Sequence, residues 1–128
     1  MNLIGVVTEY TNKGDRMEIA TRSANMVDVL SLTGRFDAYE ATKFTELVEK
    51  FVTDRRNRLV VNFTEVSFID SAALATLVKA MKRCREKQGD LILCCLQKPT
   101  KTIFELTRLD RAFKILDSEA KAIQAFTT

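Results

Sequence analysis

The sequence predicts an α/β fold, a β-sheet with helices packed on it. Two short apolar runs, residues 59–63 and 91–96, are rich in the side chains that suit strands buried on both faces. Between the strand-like runs lie segments whose apolar residues recur at helical spacing. Strands that alternate with helices in this way require a sheet covered by helices.

The first predicted elements are two strands and a helix. Residues 17–22 alternate in polarity, and residues 27–32 form a second strand that ends at Thr33-Gly34. Asp37 stands three residues before Glu40, the spacing of a capping box with Asp in place of Ser or Thr. The helix behind it has one apolar stripe, made of Phe44, Leu47, Val48 and Phe51. Its carboxylates are expected on the solvated face; they are Asp37, Glu40, Glu46 and Glu49.

The next predicted elements are a strand, a helix and another strand. After the apolar run 59–63, residues 66–69 lead to Asp70-Ser71, a good helix-starting pair. The second apolar stripe consists of Leu74, Leu77, Val78, Met81 and Cys84. Gly89 is expected to end this helix from the C′ position. In the strand 91–96, Cys94 and Cys95 should point to opposite faces as reduced packing residues.

The last predicted elements are two short helices and a strand. Pro99-Thr100 opens the first helix, whose predicted buried residues are Ile103, Phe104 and Leu106. Residues 113–116 form the strand, and Asp117-Ser118 caps the terminal helix. The residues of that helix expected to face inward are Ala120, Ile123 and Phe126.

Composition limits the class of protein. The chain has 128 residues, suits one domain, and carries a formal net charge of +3, from 20 Lys and Arg against 17 Asp and Glu. This excess is too small to predict nucleic-acid binding. The second helix carries several basic residues, which we expect on its solvated face; they are Lys79, Lys82, Arg83, Arg85 and Lys87. No apolar run is long enough for a membrane span or a signal peptide, so we expect a cytoplasmic protein without membrane contact.

The sequence predicts no enzyme. It contains no His, no glycine-rich phosphate loop and no Cys spacing typical of a metal site, so we expect neither cofactor nor metal. The segment that stands out is residues 68–74, where a buried strand delivers Asp70-Ser71 to a helix with a small first turn. A helix N-terminus accepts negative charge, so a phosphoryl group on Ser71 would be tolerated there. On the local pattern alone, simple capping by Asp70 or Ser71 is the better interpretation.

The chain resembles a STAS domain of the bacterial anti-sigma factor antagonist family over roughly residues 17–126. The resemblance rests on residues 32–38, 59–63 and 66–74, the last of which is similar to the family's Asp-Ser-(Ser/Thr/Ala)-Gly-Leu motif. Ala73 stands where the family commonly has Gly, and Ala75 replaces a second frequent Gly. The resemblance implies a STAS-like mixed β-sheet with about four α-helices, a single domain at 17–128, and residues 1–16 as an N-terminal extension.

The resemblance also implies a function. Ser71 would be phosphorylated by a partner serine kinase that is also the anti-sigma factor, and a serine phosphatase would reset it, in a signalling pathway that regulates transcription. Asp70 would form hydrogen bonds and cap the helix, and it would not act as a catalytic base. The expected partner-binding residues are Phe36, Tyr39, Thr64, Ser67, Asp70, Ala72, Ala73 and Thr76.

A second class of function stays open at this point. The domain could be a constitutive STAS adaptor or scaffold, stressosome-like or accessory to transport, in which Ser71 is incidental. An extra strand at residues 3–8 could pair with the edge strand of a second copy and form a homodimer.

Overall fold

In the computed structural model, which describes residues 5–6 and 16–127, six strands form one sheet whose spatial order follows the chain. The strands are β1 (Gly5–Val6), β2 (Met17–Ala24), β3 (Val27–Phe36), β4 (Arg58–Ile69), β5 (Asp90–Cys94) and β6 (Ile115–Leu116). The helices are α1 (Ala38–Thr53), α2 (Ser71–Glu86), α3 (Lys98–Leu106) and α4 (Glu119–Ala125), with a 3₁₀ turn at Leu109–Arg111.

The sheet is mixed, as predicted. The first three strands pair antiparallel, and β3, β4, β5 and β6 pair parallel. Each parallel connection crosses over through one of the helices α1, α2 and α3, and these pack against one large core. A smaller core on the opposite face is covered by α4.

The central strands are apolar on both faces because both faces are covered. In β5, Leu91 and Leu93 belong to the larger core, whereas Ile92 and Cys94 belong to the smaller one. Because β3, β4, β5 and β6 run in the same direction, the sheet has a carboxyl edge and an amino edge. At the carboxyl edge the strands end and α1, α2 and α3 begin; at the amino edge the strands begin.

Several sequence predictions for these elements are wrong. The strand predicted at 59–63 is too short, since β4 runs unbroken from Arg58 to Ile69, and β6 contains only two residues of the predicted strand 113–116. Cys95 lies beyond β5 with a φ of 64° and packs against the smaller core, so it does not oppose Cys94 across a strand. Leu106 and Ala120 are exposed, because α3 and α4 turn Phe104 and Ala122 inward instead.

The end of α2 also differs from its prediction. Gln88, with a φ of 67°, occupies the left-handed C′ position, and the amide of Gly89 donates to the Cys84 carbonyl oxygen at 2.9 Å. Glycine is required at 89 for another reason. A Cβ there would lie 1.9 Å from the carbonyl oxygen of Asn57.

The predicted N-terminal strand is present in part. Gly5 and Val6 pair antiparallel with Thr21 and Ala20 of β2. The rest of the predicted extension, apart from Arg16, lies outside the described residues. Within residues 5–6 and 16–127, no helix combines the length and the apolar character that crossing a bilayer requires.

Candidate functional site

The candidate site forms where β3 and β4 end together. The two strands run parallel as far as the pair Phe36 and Ile69, and each then passes through one Asp directly into a helix. The amide of Asp70 donates to the carbonyl oxygen of Phe36 at 3.3 Å. The N-termini of α1 and α2 therefore lie side by side at the carboxyl edge.

Asp70 holds both helix starts. As predicted, it is the N-cap of α2, and its Oδ1 accepts a hydrogen bond from the amide of Ala73 at 2.9 Å. Its Oδ2 accepts a second bond from the amide of Ala38, the first residue of α1, at 3.1 Å. One carboxylate thus caps two helices, which fixes the position of the residue that follows it.

Ser71 is that residue. It is the first residue of α2, its side chain is exposed, and its hydroxyl bonds to no residue in the described part of the chain. The amides of Ser71 and Ala72 belong to the first helical turn and have no intrahelical acceptor. An accessible hydroxyl at this point can accept a phosphoryl group, and the free amides and the helix dipole favour the added negative charge.

An aromatic and cationic surface adjoins the end of β3 and β4. Tyr39 in the first turn of α1 is 92% exposed. The guanidinium carbon of Arg35 lies 4.0 Å from the ring centroid of Phe68, which is itself partly exposed, and Arg35 Nε is 3.8 Å from Asp37 Oδ2. Sequence analysis identified Tyr39 but missed Arg35 and Phe68. The signal for Phe68 was its alternation with the buried Ile69 at the end of a strand.

Two of the predicted partner-binding residues are wrong as side-chain contacts. Phe36 and Ala73 are both 0% exposed. Phe36 packs against Phe44 in the larger core, with ring centroids 5.1 Å apart, and Ala73 lies on the buried face of α2. The packing of α2 on the larger core buries Ala73.

The other predicted contact residues lie at or near the surface. Ser67 is exposed and donates to the Gly34 carbonyl oxygen at 3.2 Å; Thr64 is exposed and donates to Asn62 Oδ1 at 2.6 Å. Ala72 and Thr76 are half-buried, and the hydroxyl of Thr76 donates to the carbonyl oxygen of Ala72 at 2.9 Å. Their role in binding stays a prediction.

Glu40 corrects the expectation of a solvated acidic face on α1. Asp37 caps α1 through a bond from the amide of Tyr39 at 3.1 Å, but Glu40 is only 2% exposed. Its carboxylate contacts Lys43 Nζ at 2.5 Å and Arg16 Nε at 3.2 Å, and Lys43 also donates to the carbonyl oxygen of Met17. Glu40 thus ties α1 to the start of β2 instead of completing a capping box.

Two of the three cysteines, Cys84 and Cys94, are buried. Burial raises the pKa of the Cys84 thiol to about 12, and it also raises the pKa of Cys94, so both are poor nucleophiles at neutral pH. Among the described residues, no cluster of His, Cys, Asp and Glu has the arrangement of a metal site.

Comparison with known proteins agrees with this architecture. The family model described as STAS domain matches residues 18–122. An anti-sigma-B factor antagonist of Listeria monocytogenes is 32% identical over 105 residues, which cover 82% of this chain and 91% of that protein.

Solved structures share the fold. An anti-sigma factor antagonist from Mycobacterium paratuberculosis superposes with a TM-score of 0.80 at 23% identity, covering 89% of this chain and 97% of that one. The Bacillus cell fate determinant SpoIIAA in its phosphorylated form superposes with a TM-score of 0.67 at 17% identity, covering 84% and 97%. Sequence and fold together show that this chain is a member of the STAS domain family.

Proposed function

We propose that this chain is an anti-sigma factor antagonist whose binding is switched by phosphorylation of Ser71. The observation that carries the proposal is the exposed hydroxyl of Ser71, unbonded within the described residues and held at the start of α2 by the doubly bonded Asp70. The similarity to relatives named anti-sigma factor antagonists supports it. SpoIIAA, which shares the fold, has been solved in unphosphorylated and phosphorylated forms.

In the unphosphorylated state, the carboxyl edge docks on the anti-sigma factor. Tyr39, 92% exposed, is suited to fill a pocket on the partner, because aromatic side chains bury large areas at interfaces. Arg35, stacked on Phe68, retains donors for a partner carboxylate. Ser71 lies at the neighbouring helix start and enters the same interface.

Phosphorylation ends the complex by a local change of charge. The partner kinase transfers the γ-phosphoryl group of ATP to Ser71 Oγ: the new O–P bond replaces the bond to ADP, and the hydroxyl proton is released. The phosphoryl group adds about −1.5 to −2 charges, which cannot be desolvated in the closed interface without a large cost. The helix N-terminus tolerates this charge, so the domain stays folded while the partner leaves.

A serine phosphatase resets the switch by hydrolysing the phosphate ester. The chain itself performs no chemistry in this cycle; it is a substrate and a binding partner. Because the anti-sigma factor acts on a sigma factor inside the cell, the proposal places this chain in the cytoplasm.

The test compares three substitutions of Ser71 in a binding titration against the anti-sigma factor kinase of the same organism. Ser71→Asp introduces charge, and Ser71→Asn is its neutral isostere and matched control. We expect Ser71→Asn and Ser71→Ala to bind like the wild type and to resist ATP-dependent release, whereas Ser71→Asp binds at least tenfold more weakly. Equal binding by Ser71→Asp and Ser71→Asn would refute the charge switch.

Phosphosite mapping by mass spectrometry on protein from native cells tests the modification itself. We expect phosphate on Ser71 with an occupancy that changes between growth and stress. Absence of this phosphate in every condition would favour the constitutive adaptor, and phosphate on Thr64 or Ser67 instead would move the switch to another hydroxyl.

A further inference from the structure

A strongly basic surface lies at the amino edge, the end of the sheet opposite Ser71. A cleft of about 510 Å³ is lined there by Ser23, Met26, Asp28, Arg55, Arg56, Asn57 and Arg58. A neighbouring cleft of about 490 Å³ shares Arg55 and Asn57 with it and adds Val52, Thr53, Arg83 and Lys87. We call the two together the basic cleft. Arg55 lies at their junction.

Some cations of the basic cleft are already neutralised. Arg56 is held by the buried Asp28, with Nη2 at 2.5 Å from Oδ1 and Nε at 3.1 Å from Oδ2. Arg83 pairs with Glu49 at 2.8 Å, so the basic face predicted for α2 is in part neutralised. These two arginines line the cleft, but their charges are already paired within the protein.

Three other cations of the cleft have no such partner. Within residues 5–6 and 16–127, no carboxylate lies within ion-pairing distance of Arg55, Arg58 or Lys87, and all three are exposed. Their charges remain available to an anionic ligand, and arginine in particular binds carboxylates in bidentate geometry.

Arg55 occupies a position that favours glycine. It is the C′ residue of α1, with a φ of 63°. Its amide donates to the Val52 carbonyl oxygen at 3.0 Å, and the next amide, of Arg56, donates to the Phe51 carbonyl oxygen at 2.8 Å. A side chain in this left-handed conformation costs stability.

Met26 also has a left-handed backbone conformation that favours glycine. Asn25 and Met26, with φ of 54° and 66°, form the two-residue turn between β2 and β3, where glycine is strongly favoured at the second position. Met26 is 84% exposed. Two strained side chains therefore line one cleft, and strained residues of this kind cluster at ligand-binding sites.

We propose that the basic cleft binds an acidic peptide segment of a partner protein, with an apolar side chain of that segment packed on Met26. Two clefts joined at Arg55 fit an extended chain better than a compact anion. An exposed methionine gives adaptable apolar contact, which a phosphate group would not use. Single-stranded nucleic acid is disfavoured, because its bases stack on aromatic side chains and none of the described residues that line the two clefts is aromatic.

This interface is independent of the phosphoserine switch. Ser71 starts α2 at the carboxyl edge, whereas Lys87 caps the other end of the same 16-residue helix. A helix of this length spans about 24 Å. At that separation, dissolved salt screens the interaction between two surface charges. The basic cleft can therefore hold a partner while the other edge binds and releases.

The test measures fluorescence anisotropy of a labelled peptide of glutamates with one central leucine, titrated with the full chain at low ionic strength. A peptide with glutamine for every glutamate is the matched control probe. We expect saturable binding of the acidic peptide, loss of binding with added salt, and none for the neutral peptide.

Four variants separate ligand binding from fold stability. Arg55→Gly and Met26→Gly relieve the left-handed strain, so each should raise the melting temperature by about 2–4 °C and yet weaken peptide binding about fivefold. Gln88→Gly relieves the same strain at the end of α2 and should leave binding unchanged. Arg55→Gln removes the charge without relieving strain and should repeat the loss of affinity.

Several outcomes would overturn the proposal. These are the absence of saturable binding to the wild type, unchanged affinity in Arg55→Gly and Arg55→Gln, or an equal loss in Gln88→Gly. Tighter binding of tripolyphosphate or of a DNA oligonucleotide than of the acidic peptide, lost in the same variants, would assign the cleft to those ligands instead. A loss of peptide binding in Ser71→Asp would overturn the independence of the two edges.

Discussion

The two helix starts at the carboxyl edge look alike in sequence and differ in structure. Each follows a strand directly and is capped by an Asp, Asp37 for α1 and Asp70 for α2. The first turn of α1 carries the buried Glu40, tied to Lys43 and Arg16, whereas the first turn of α2 carries the exposed Ser71. Asp37 bonds to one helix, and Asp70 bonds to both.

This difference separates a helix start with a buried, ion-paired side chain from one with an exposed hydroxyl. The charged side chain in the first turn of α1, Glu40, is buried, and its contacts tie the helix to the start of β2. The first turn of α2 has small residues and no acidic side chain, and its Ser71 is exposed. Asp70 joins the two, because the helix that supports Ser71 is positioned partly by α1.

We expect the largest loss of stability from substitution of Glu40, in the first turn of α1. Glu40→Gln removes the carboxylate charge that Lys43 and Arg16 contact, at a side chain that is 3% exposed, and should lower the free energy of unfolding by about 3 kcal/mol. Urea unfolding followed by circular dichroism measures this. Glu46→Gln, on the exposed face of the same helix, is the control and should change it by less than about 0.5 kcal/mol. Equal effects would contradict the burial of Glu40.

Substitution of Asp70 should cause the second-largest loss of stability. Asp70→Ala removes a cap from each helix and should cost about 2 kcal/mol, whereas Asp70→Asn keeps one acceptor oxygen and should cost about half of that. Amide hydrogen exchange at Ala38 is the specific measurement, since this amide bonds to Asp70 across 32 residues of sequence. Unchanged exchange at Ala38 in Asp70→Ala would refute the shared cap.

Asp37 should have a smaller effect than Asp70. Asp37→Ala removes one cap bond, to Tyr39, and should cost about 1 kcal/mol. The double variant with Asp70→Ala should be non-additive, because both residues act on the first turn of α1. A cost for Asp37 equal to or above that for Asp70 would remove the distinction between the two starts.

Ser71 should have the smallest effect on stability. Ser71→Ala removes an exposed hydroxyl that bonds to no described residue, so the free energy of unfolding should change by less than about 0.5 kcal/mol. The same urea titration measures it, with Ser118→Ala as the contrast. Ser118 caps α4 through the amide of Lys121, and its loss should cost about 1 kcal/mol. A large loss in Ser71→Ala would indicate a structural residue.

Local pattern was enough to predict most elements. The helix after Asp37 and the helix after Asp70 begin where the caps indicated, and the apolar run of β5 divides between two cores as a strand buried on both faces should. The motif at residues 70–74 identified the family that sequence and fold comparison then showed.

Errors arose where a residue's environment is built by distant parts of the chain. Glu40 has the spacing of a capping residue, but its buried carboxylate instead pairs with Arg16, 24 positions away. Leu106 is apolar and close to the end of α3, but the helix turns Phe104 inward to meet Phe113 at 5.7 Å. Composition did not predict the basic cleft, since Arg55, Arg58 and Lys87 come together only through the ends of α1 and α2.

By itself, the sequence determined the alternation of strands and helices, the two Asp caps and the serine that follows the second cap. These depend on neighbours within a few residues, where backbone propensity, capping and periodicity act. The tertiary structure decided which carboxylate is buried, which aromatic residues are exposed, and that Asp70 holds two helices. The burial of Glu40 depends on contacts with residues as distant as Arg16, 24 positions away. The double cap depends on parallel pairing of β3 and β4, which brings residues more than 30 positions apart into hydrogen-bonding distance.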